Sequence, residues 1–327
     1  MKLLVIGNEE RARKYQPDLP IVDRVDMVVV ERGSSDEDVL RLAPDADFIL
    51  ADAISPVSRT LIEGMPNLRL VHSEGVAFDL IDLDAAREND VIVCNNAGVN
   101  ASAVAEQTIL LMLSCLRQAL VGDAEVRAAR QIQMKERIMV EGMRELGDCR
   151  VGFIGFGAIG QAVARRLSTW GCVMTYNKRH PLSPELEREL GVTFASRDEI
   201  VSSCDIVSLH VPVTDETRGM VDERFLAAMR PDAILINTAR GEIVDQDALV
   251  RALEDGAIEG AGLDTLSPEP VQADNPLLNM SEEASRRIVL SPHIGGLTET
   301  MFHRAYRNVW ENMARIAEGE EPVNVVS

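Results

Sequence analysis

Short apolar runs alternate with segments of helical periodicity along the chain, and the runs fall into two series. The first series comprises residues 2–7, 27–30, 48–51, 68–71 and 91–93. The second begins at Arg150 and continues through residues 172–176, 205–209, 233–236, 259–263 and 288–290. Strands that alternate with helices are typical of parallel α/β sheets. The pattern therefore predicts two parallel sheets, and hence two α/β domains.

Two helical segments differ from the rest. Residues 101–120 are apolar on nearly every side, which predicts a buried helix on which two domains or two subunits pack. Near the end of the chain, an apolar stripe that needs a partner surface follows steps of four and three residues. Its members are Phe302, Tyr306, Val309, Met313 and Ile316. The polar segment 122–148 carries no clear pattern.

Length and charge limit the class of protein. The chain has 327 residues, enough for two domains that each bury a core, and a formal net charge of −20. Because a negative surface repels nucleic acid and anionic membranes, we expect neither as a partner. Five cysteines without CxxC spacing argue against a disulfide framework and a zinc cluster, so no metal site is predicted. With no secretory signal and no membrane-length apolar run, we expect a cytoplasmic protein.

A glycine-rich turn follows the first strand of the second series. Gly155, Gly157 and Gly160 form a GxGxxG pattern between an apolar strand and a helical segment. In that context the glycines allow a tight turn, a close approach of a pyrophosphate to the backbone, and close strand–helix packing. We therefore predict a dinucleotide site that also includes Ala158 and Ile159. A glycine-rich turn without a ligand is the alternative.

The next strand ends in Asn177, Lys178 and Arg179, which bear on the choice of cofactor. An acidic residue at this point is typical of NAD sites, because it accepts hydrogen bonds from the adenosine ribose. No acid is present here, and the two cations suit a 2′-phosphate. We therefore expect NADP as the preferred cofactor. Binding of NAD through Asn177 alone is the alternative.

Three further signatures follow in order: NTARG at 237–241, GLDTLSPEP at 262–270 and SPHIGG at 291–296. Together with the glycine-rich turn, they resemble the D-isomer-specific 2-hydroxyacid dehydrogenase family, which includes phosphoglycerate, glyoxylate/hydroxypyruvate and D-lactate enzymes. The resemblance covers nearly the whole chain. It implies two doubly wound domains with a cleft between them: a flavodoxin-like substrate domain, 1–100 and 297–327, and a Rossmann nucleotide domain, 101–296. It also implies a homodimer.

By the same resemblance, Arg240 binds the substrate, His293 donates and accepts the proton, and Glu269 orients and charges the histidine. The chemistry independently requires such a set. Hydride transfer to a ketone leaves negative charge on oxygen, so an acid must protonate the product and a cation must hold the substrate. A carboxylate beside the imidazole favours the protonated ring that reduction needs. We therefore predict an oxidoreductase that acts on a small 2-keto acid or D-2-hydroxy acid, in a direction that depends on pH.

The resemblance assigns further contacts in each domain. SEGVAFD at 73–79 is similar to the family's loop whose backbone amides hold the substrate carboxylate. It implies Glu74, Gly75 and Val76 as the substrate-binding residues, with the carboxylate held by the amides of Gly75 and Val76, although Glu74 puts an acid beside an anionic substrate. Additional cofactor contacts are implied for His210, Pro212, Thr217, Thr238 and Asp264. Asp264 suits equally well the role of a cap at the end of a strand.

Two other functions remain open on the same scaffold. One is a nicotinamide-sensing binding protein, similar to corepressors of transcription that keep this fold. The other is a dehydrogenase of the formate or phosphite type. Turnover of 2-keto acids distinguishes both from the main prediction.

Overall fold

The computed structural model describes residues 1–326, and the contacts within it divide the chain into two units. Unit 1 comprises Met1–Asn100 together with the chain from Leu297 onward, and unit 2 comprises Ala101–Gly296. Each unit contains one parallel sheet.

Unit 1 contains a five-stranded sheet. Its strands are β1 (Lys2–Ile6), β2 (Asp26–Val30), β3 (Phe48–Ala51), β4 (Leu70–Ser73) and β5 (Ile92–Cys94). The helices between them are α1 (Glu9–Lys14), α2 (Asp36–Leu42), α3 (Arg59–Glu63) and α4 (Leu83–Glu88). The spatial order is β2-β1-β3-β4-β5, and every pair is parallel. This is the flavodoxin-like order of a doubly wound sheet.

Unit 2 contains a seven-stranded sheet. Three helices precede it: α5 (Ala101–Leu116), α6 (Ala119–Arg127) and α7 (Gln131–Glu141). The strands are β6 (Arg150–Ile154), β7 (Val173–Asn177), β8 (Val192–Phe194), β9 (Ile206–Leu209), β10 (Ile234–Asn237), β11 (Gly260–Leu263) and β12 (Ile288–Leu290). The interleaved helices are α8 (Ala158–Leu167), α9 (Pro184–Leu190), α10 (Arg197–Ser203), α11 (Glu223–Ala228), α12 (Gln246–Glu254) and α13 (Glu282–Ser285).

The order of the second sheet is β12-β11-β10-β9-β6-β7-β8, again all parallel. The six strands β11-β10-β9-β6-β7-β8 have the order of a dinucleotide-binding sheet, in which β6 is the first strand along the chain. Strand β12 adds a seventh strand beside β11. The direction of winding reverses between β6 and β9. Ligands of such sheets collect at the carboxyl ends of the strands beside this reversal. The prediction of two doubly wound parallel sheets is confirmed.

The last helix, α14 (Glu299–Glu318), closes one face of the unit 1 sheet. Tyr306, Val309 and Met313 from the predicted stripe are buried there in one cluster with Leu3 and Val5 of β1. Because successive strand residues point to opposite faces, the alternate β1 residues belong to a second cluster, which includes residues of α2, α3 and α4. The partner surface that the stripe requires is therefore the unit 1 sheet.

Three details differ from the sequence pattern or go beyond it. The predicted helix 101–120 is interrupted, because Gln118 has a φ of 47°, which a right-handed helix does not allow. The unassigned segment 122–148 forms the rest of α6 and all of α7. Strand β8 was not predicted from the apolar runs, because only Val192 of its three residues is buried.

Candidate active site

The glycine-rich turn joins β6 to α8 at the point where the sheet reverses. Gly155 has a φ of +86°, and a β-carbon there would lie 2.4 Å from the carbonyl oxygen of His210. Only glycine fits this position. At Gly157 the opposite holds, since a β-carbon would meet nothing within 4 Å.

The start of α8 leaves donors free beside that open space. The amides of Gly157, Ala158 and Ile159 donate to no acceptor within residues 1–326. The first amides of a helix lack partners within the helix and attract anions. Open space in front of unpaired N–H groups therefore fits the pyrophosphate of a dinucleotide.

The end of β7 presents Asn177 and the two cations that follow it. Asn177 Nδ2 donates to the carbonyl oxygen of Ala195 at 2.9 Å, which fixes the side chain beside the turn. Lys178 and Arg179 form no ion pair or side-chain hydrogen bond in the described part of the chain. Both cations are therefore available to a ligand.

The other predicted cofactor contacts lie after β9, β10 and β11, and most of their side chains are hydrogen-bonded inside unit 2. Thr217 Oγ1 donates to the carbonyl oxygen of Pro212 at 2.6 Å and accepts from the amide of Thr214. Thr238 Oγ1 lies 2.9 Å from Thr108 Oγ1 on α5. These bonds shape the loops at the carboxyl edge of the sheet.

His210 differs from its neighbours because one ring nitrogen has no partner. Its Nε2 lies 2.9 Å from Ser208 Oγ, whereas its buried Nδ1 has no hydrogen-bond partner within residues 1–326. Burial lowers the pKa of His210 to about 4, so the ring is neutral at physiological pH. A buried polar atom without a partner at this edge is consistent with a site that a ligand completes.

Arg240 follows β10 on a tightly packed turn. A β-carbon at the next residue, Gly241, would lie 2.1 Å from the backbone of Leu266, so the turn packs against the segment that leads to Glu269. The Arg240 side chain is exposed and donates one hydrogen bond, from Nη1 to the carbonyl oxygen of Ala239 at 2.7 Å. It has no acidic partner in residues 1–326. The rest of its donors are free.

His293 and Glu269 come together, as the resemblance implies. His293 Nδ1 lies 2.7 Å from Glu269 Oε2, and each side chain is a little over 40% exposed, at 42% and 44%. His293 Nε2 makes no hydrogen bond within residues 1–326. The pair therefore presents one free imidazole nitrogen, with the other nitrogen held by a carboxylate.

The backbone at His293 is held in an unusual conformation. Its φ of 56° lies in the left-handed region, which is costly for a residue with a side chain. Asp264, buried after β11, accepts hydrogen bonds from Ser291 Oγ and from the amides of Ile294 and Gly295. Asp264 thus caps the turn that carries His293. Its predicted contact with a cofactor stays a prediction.

In unit 1, the predicted carboxylate-binding loop follows β4, and the carbonyl groups of residues 74–77 are all engaged. Those of Glu74 and Gly75 accept from Asn96, that of Val76 from Asn95, and that of Ala77 from Ser73. The amides of Val76 and Ala77 donate to no group in residues 1–326, whereas the Gly75 amide donates to Ser73 Oγ at 3.3 Å. Within residues 1–326, the loop thus has unpaired N–H donors at Val76 and Ala77, whereas the carbonyl acceptors of residues 74–77 are all engaged.

The described residues bear on two other kinds of site. Residues 1–326 contain no group of three or more His, Cys, Asp or Glu side chains placed to hold a metal ion. No helix among the same residues combines the length and apolar character that a membrane span requires.

Comparison with known proteins decides the family. A family model described as D-isomer specific 2-hydroxyacid dehydrogenase, NAD binding domain, matches residues 109–295. A glyoxylate reductase of Thermococcus litoralis is 34% identical over 292 residues, which cover 88% of this chain and 86% of that protein. The chain belongs to the D-isomer-specific 2-hydroxyacid dehydrogenase family.

Solved structures of the family agree in fold over the full chain. The 2-hydroxyacid dehydrogenase of Lactobacillus delbrueckii ssp. bulgaricus, in its NAD-complexed form, has a TM-score of 0.85 and 26% identity over 100% of both chains. An NADPH-dependent glyoxylate/hydroxypyruvate reductase of Sinorhizobium meliloti, in complex with NADP and malonate, has a TM-score of 0.79 and 27% identity, covering 100% of this chain and 96% of that one. As a member of this dehydrogenase family, the chain is an oxidoreductase with a nicotinamide cofactor.

Sequence reasoning missed the residues that hold this site in place. Gln107 on α5 donates to Ser291 Oγ at 2.9 Å, across 184 positions of the chain. Asn95 and Asn96 hold the loop after β4. A polar residue that bonds to a distant loop leaves no periodic signal in the sequence.

Proposed function

We propose that this family member reduces small 2-keto acids and oxidises the corresponding D-2-hydroxy acids, with NADP(H) preferred over NAD(H). The observation that carries the proposal is the contact between His293 and Glu269, whose Nδ1 and Oε2 atoms lie 2.7 Å apart while the imidazole Nε2 remains unpaired in residues 1–326. Such a pair is a competent acid and base for a ketone or an alcohol.

The proposed chemistry assigns one task to each group. The nicotinamide cofactor, when bound, supplies or accepts the hydride at C2 of the substrate. In reduction, His293 donates a proton from Nε2 to the oxygen that becomes negative, and Glu269 stabilises the imidazolium. In oxidation, the neutral imidazole accepts the hydroxyl proton. Glu269 also fixes the tautomer, because its carboxylate accepts from Nδ1–H.

Arg240 is the proposed cation for the substrate. Its exposed guanidinium has no acidic partner in residues 1–326 and donates only one hydrogen bond, to Ala239. A guanidinium with free donors suits the carboxylate of a keto acid, because it can bind both oxygens at once. In unit 1, the loop after β4 stays a predicted carboxylate-binding loop, and the amides of Val76 and Ala77, which have no acceptor in residues 1–326, support this role.

The preference for NADP is also a proposal. Lys178 and Arg179, at the end of β7, form no ion pair in the described chain, so neither cation is neutralised by a neighbour. A guanidinium and an ammonium placed together favour the doubly charged 2′-phosphate of NADP. The NADP-bound relative from Sinorhizobium meliloti shows that the family includes enzymes of this type.

A homodimer is proposed through α6 and α7 of unit 2. These helices carry apolar side chains that are more than half exposed, up to 88% at Val140 and 74% at Met139. Clustered apolar side chains of this kind usually cover a partner surface. The proposal expects about twice the chain mass by light scattering, and a monomer when Met139 and Val140 are both replaced by Asp. A wild-type monomer would contradict it.

A substrate screen tests the proposed function directly. NADPH oxidation is followed with glyoxylate, hydroxypyruvate, pyruvate, phenylpyruvate, branched keto acids and 2-ketoglutarate, and the series is repeated with NADH. The proposal expects turnover of at least one keto acid, faster with NADPH. Nucleotide binding without turnover would support a sensing protein instead, and reduction of NAD by formate or phosphite would support the other dehydrogenase type.

A further inference from the structure

Glu74 begins the loop after β4, and its carboxylate faces the interior of unit 1. Its side chain is only 11% exposed. Oε1 accepts one hydrogen bond from Arg11 Nε at 2.7 Å and another from the Tyr306 hydroxyl at 2.6 Å. The acid that appeared from sequence to lie beside an anionic substrate is thus engaged by two donors of its own unit.

The two donors come from distant helices. Arg11 lies on α1, and Tyr306 lies on α14 with 1% of its surface exposed. Burial, together with the neighbouring Glu74 carboxylate, raises the pKa of Tyr306 well above its ordinary value, so the hydroxyl keeps its proton and donates. The two hydrogen bonds to Glu74 therefore join the loop to α1 and to α14.

The charges around Glu74 balance. Arg11 also lies 3.9 Å from the buried carboxylate of Asp52, which in turn accepts from Arg32 at 2.6 Å. Two carboxylates and two guanidiniums therefore form one neutral group. The two carboxylates are the buried members of this group, at 11% and 4% exposed, and removal of a guanidinium leaves an uncompensated buried charge. Hence Glu74 presents little net negative charge to the loop.

The same loop is fixed from its other side. Glu74 donates its amide to the carbonyl oxygen of Ala51 at 2.7 Å, and Asn96 donates its amide to the carbonyl oxygen of Gly75 at 2.8 Å. The amides of Val76 and Ala77 have no acceptor within residues 1–326. A binding group that is already ordered avoids the entropy loss of ordering on binding.

We propose that Glu74 is a positioning residue for the substrate: braced by Arg11 and Tyr306, it holds the Gly75–Ala77 backbone so that the Val76 and Ala77 amides are ready for the keto acid carboxylate. This inference rests on the proposed function, which gives that loop its substrate. It assigns to Glu74 no direct contact with the substrate. Specificity for a monocarboxylate head group then depends on backbone N–H groups, not on repulsion by an acid.

Kinetics of matched variants distinguish positioning from direct contact. Loss of a charged hydrogen bond is worth about a tenfold change, so Glu74→Ala should raise KM for the keto acid about tenfold with little change in kcat. Tyr306→Phe should raise KM less, and the double variant should be no worse than Glu74→Ala, because both changes break one brace. Glu74→Gln should lose less than Glu74→Ala, since its amide oxygen still accepts from Tyr306.

The control is Arg13→Ala. Arg13 lies on the same helix as Arg11, but its partner is Glu9 in an exposed pair. Its KM should match wild type. The Kd of NADPH, measured by fluorescence, should stay constant in every variant, because the nucleotide turn belongs to unit 2. If Glu74→Gln has a lower KM than wild type, and if added salt reduces this difference, then Glu74 repels the substrate directly. That result would overturn the proposal.

Hydrogen exchange separates failure of this inference from failure of the proposed function. If the wild-type protein turns over no 2-keto acid, the proposed function fails. Exchange at the amides of Glu74 and Asn96 still tests the brace, and it should be faster in Tyr306→Phe and Glu74→Ala than in wild type or Arg13→Ala. Unchanged exchange at both amides, or an unchanged KM in Glu74→Ala, would overturn the brace.

Discussion

The two units expose backbone N–H groups at the carboxyl ends of their sheets by different means. In unit 2, the turn between β6 and α8 depends on glycine, with Gly155 at a φ of +86° and open space beside Gly157. In unit 1, the loop after β4 depends on side chains, because Asn95, Asn96 and Ser73 engage its carbonyl groups. Glycine fixes the backbone conformation of the turn in unit 2. In unit 1, hydrogen bonds from other residues of the chain fix the backbone conformation of the loop.

The largest expected effect is the loss of activity when a group that acts on the substrate is removed. His293→Ala and Arg240→Ala should each lower kcat/KM about a thousandfold, because a positioned acid or cation commonly contributes a factor of this size. The Kd of NADPH should remain close to wild type. Arg251→Ala, at an exposed arginine of α12, serves as the control for Arg240. Intact turnover in either active-site variant would refute the assigned role.

The glycine turn can be broken in two distinct ways. Gly155→Ala should reduce the free energy of unfolding by about 2 kcal/mol or more, since it combines a positive φ with a β-carbon 2.4 Å from the His210 carbonyl oxygen. Gly157→Ala should fold normally, because nothing lies within 4 Å of its β-carbon, yet raise the Kd of NADPH at least about tenfold.

Gly122→Ala is the control for both glycine variants. Gly122 lies within α6 with nothing within 4 Å of a β-carbon, so alanine should stabilise the helix by up to about 1 kcal/mol. Chemical denaturation and nucleotide titration measure the two effects separately. Normal NADPH affinity in Gly157→Ala would place the pyrophosphate elsewhere.

A further comparison of the two units uses the dependence of stability on pH. Burial lowers the pKa of His72 in unit 1 and of His210 in unit 2 to about 4, below the ordinary 6.5. Each group binds its proton more readily in the unfolded chain, so its contribution to stability is complete above pH 6.5 and is lost as the pH falls toward 4. Each histidine should contribute up to about 3 kcal/mol of this loss.

Denaturant unfolding at pH 7.5, 6 and 5 checks this prediction. His72 donates to the Ser73 carbonyl oxygen and accepts from Asn312, so its replacement by Gln should weaken unit 1 at neutral pH but reduce the loss on acidification. An equal loss of stability in wild type and His72→Gln would contradict the assignment.

The smallest effect concerns the choice of cofactor. Arg179→Ala should lower kcat/KM for NADPH about tenfold, because one charged contact to the phosphate is lost, and should leave NADH unchanged. Steady-state kinetics with both cofactors give the ratio. Equal efficiency with NADH and NADPH in wild type, unaffected by the substitution, would reject the 2′-phosphate site.

The same contrast explains how far the sequence could predict the molecule. The alternation of apolar runs predicted both sheets, and the GxGxxG turn was recognisable because its glycines are close together in the chain. The stripe on α14 predicted a buried face because it follows helical spacing. All three signals are local, and physical rules connect them directly to structure.

The remainder depends on contacts between distant residues. Tyr306 was read only as a member of an apolar stripe, although its hydroxyl also binds Glu74 across 232 positions. Gln107 gave no sign that it reaches the His293 segment, and Glu74 was interpreted from its charge without knowledge of Arg11. Spacing does not predict which polar residues pair across a fold.

A double-mutant cycle on keto acid reduction tests the central claim most directly, namely that His293 backed by Glu269 is the acid. The cycle compares wild type with Glu269→Gln, His293→Ala and the protein that carries both changes. Each single variant should lower kcat/KM, because the acid or the carboxylate that orients it is lost. The double variant should be no slower than His293→Ala, because Glu269 acts only through the imidazole. Losses that add in the double variant, or a wild-type rate in Glu269→Gln, would contradict the account.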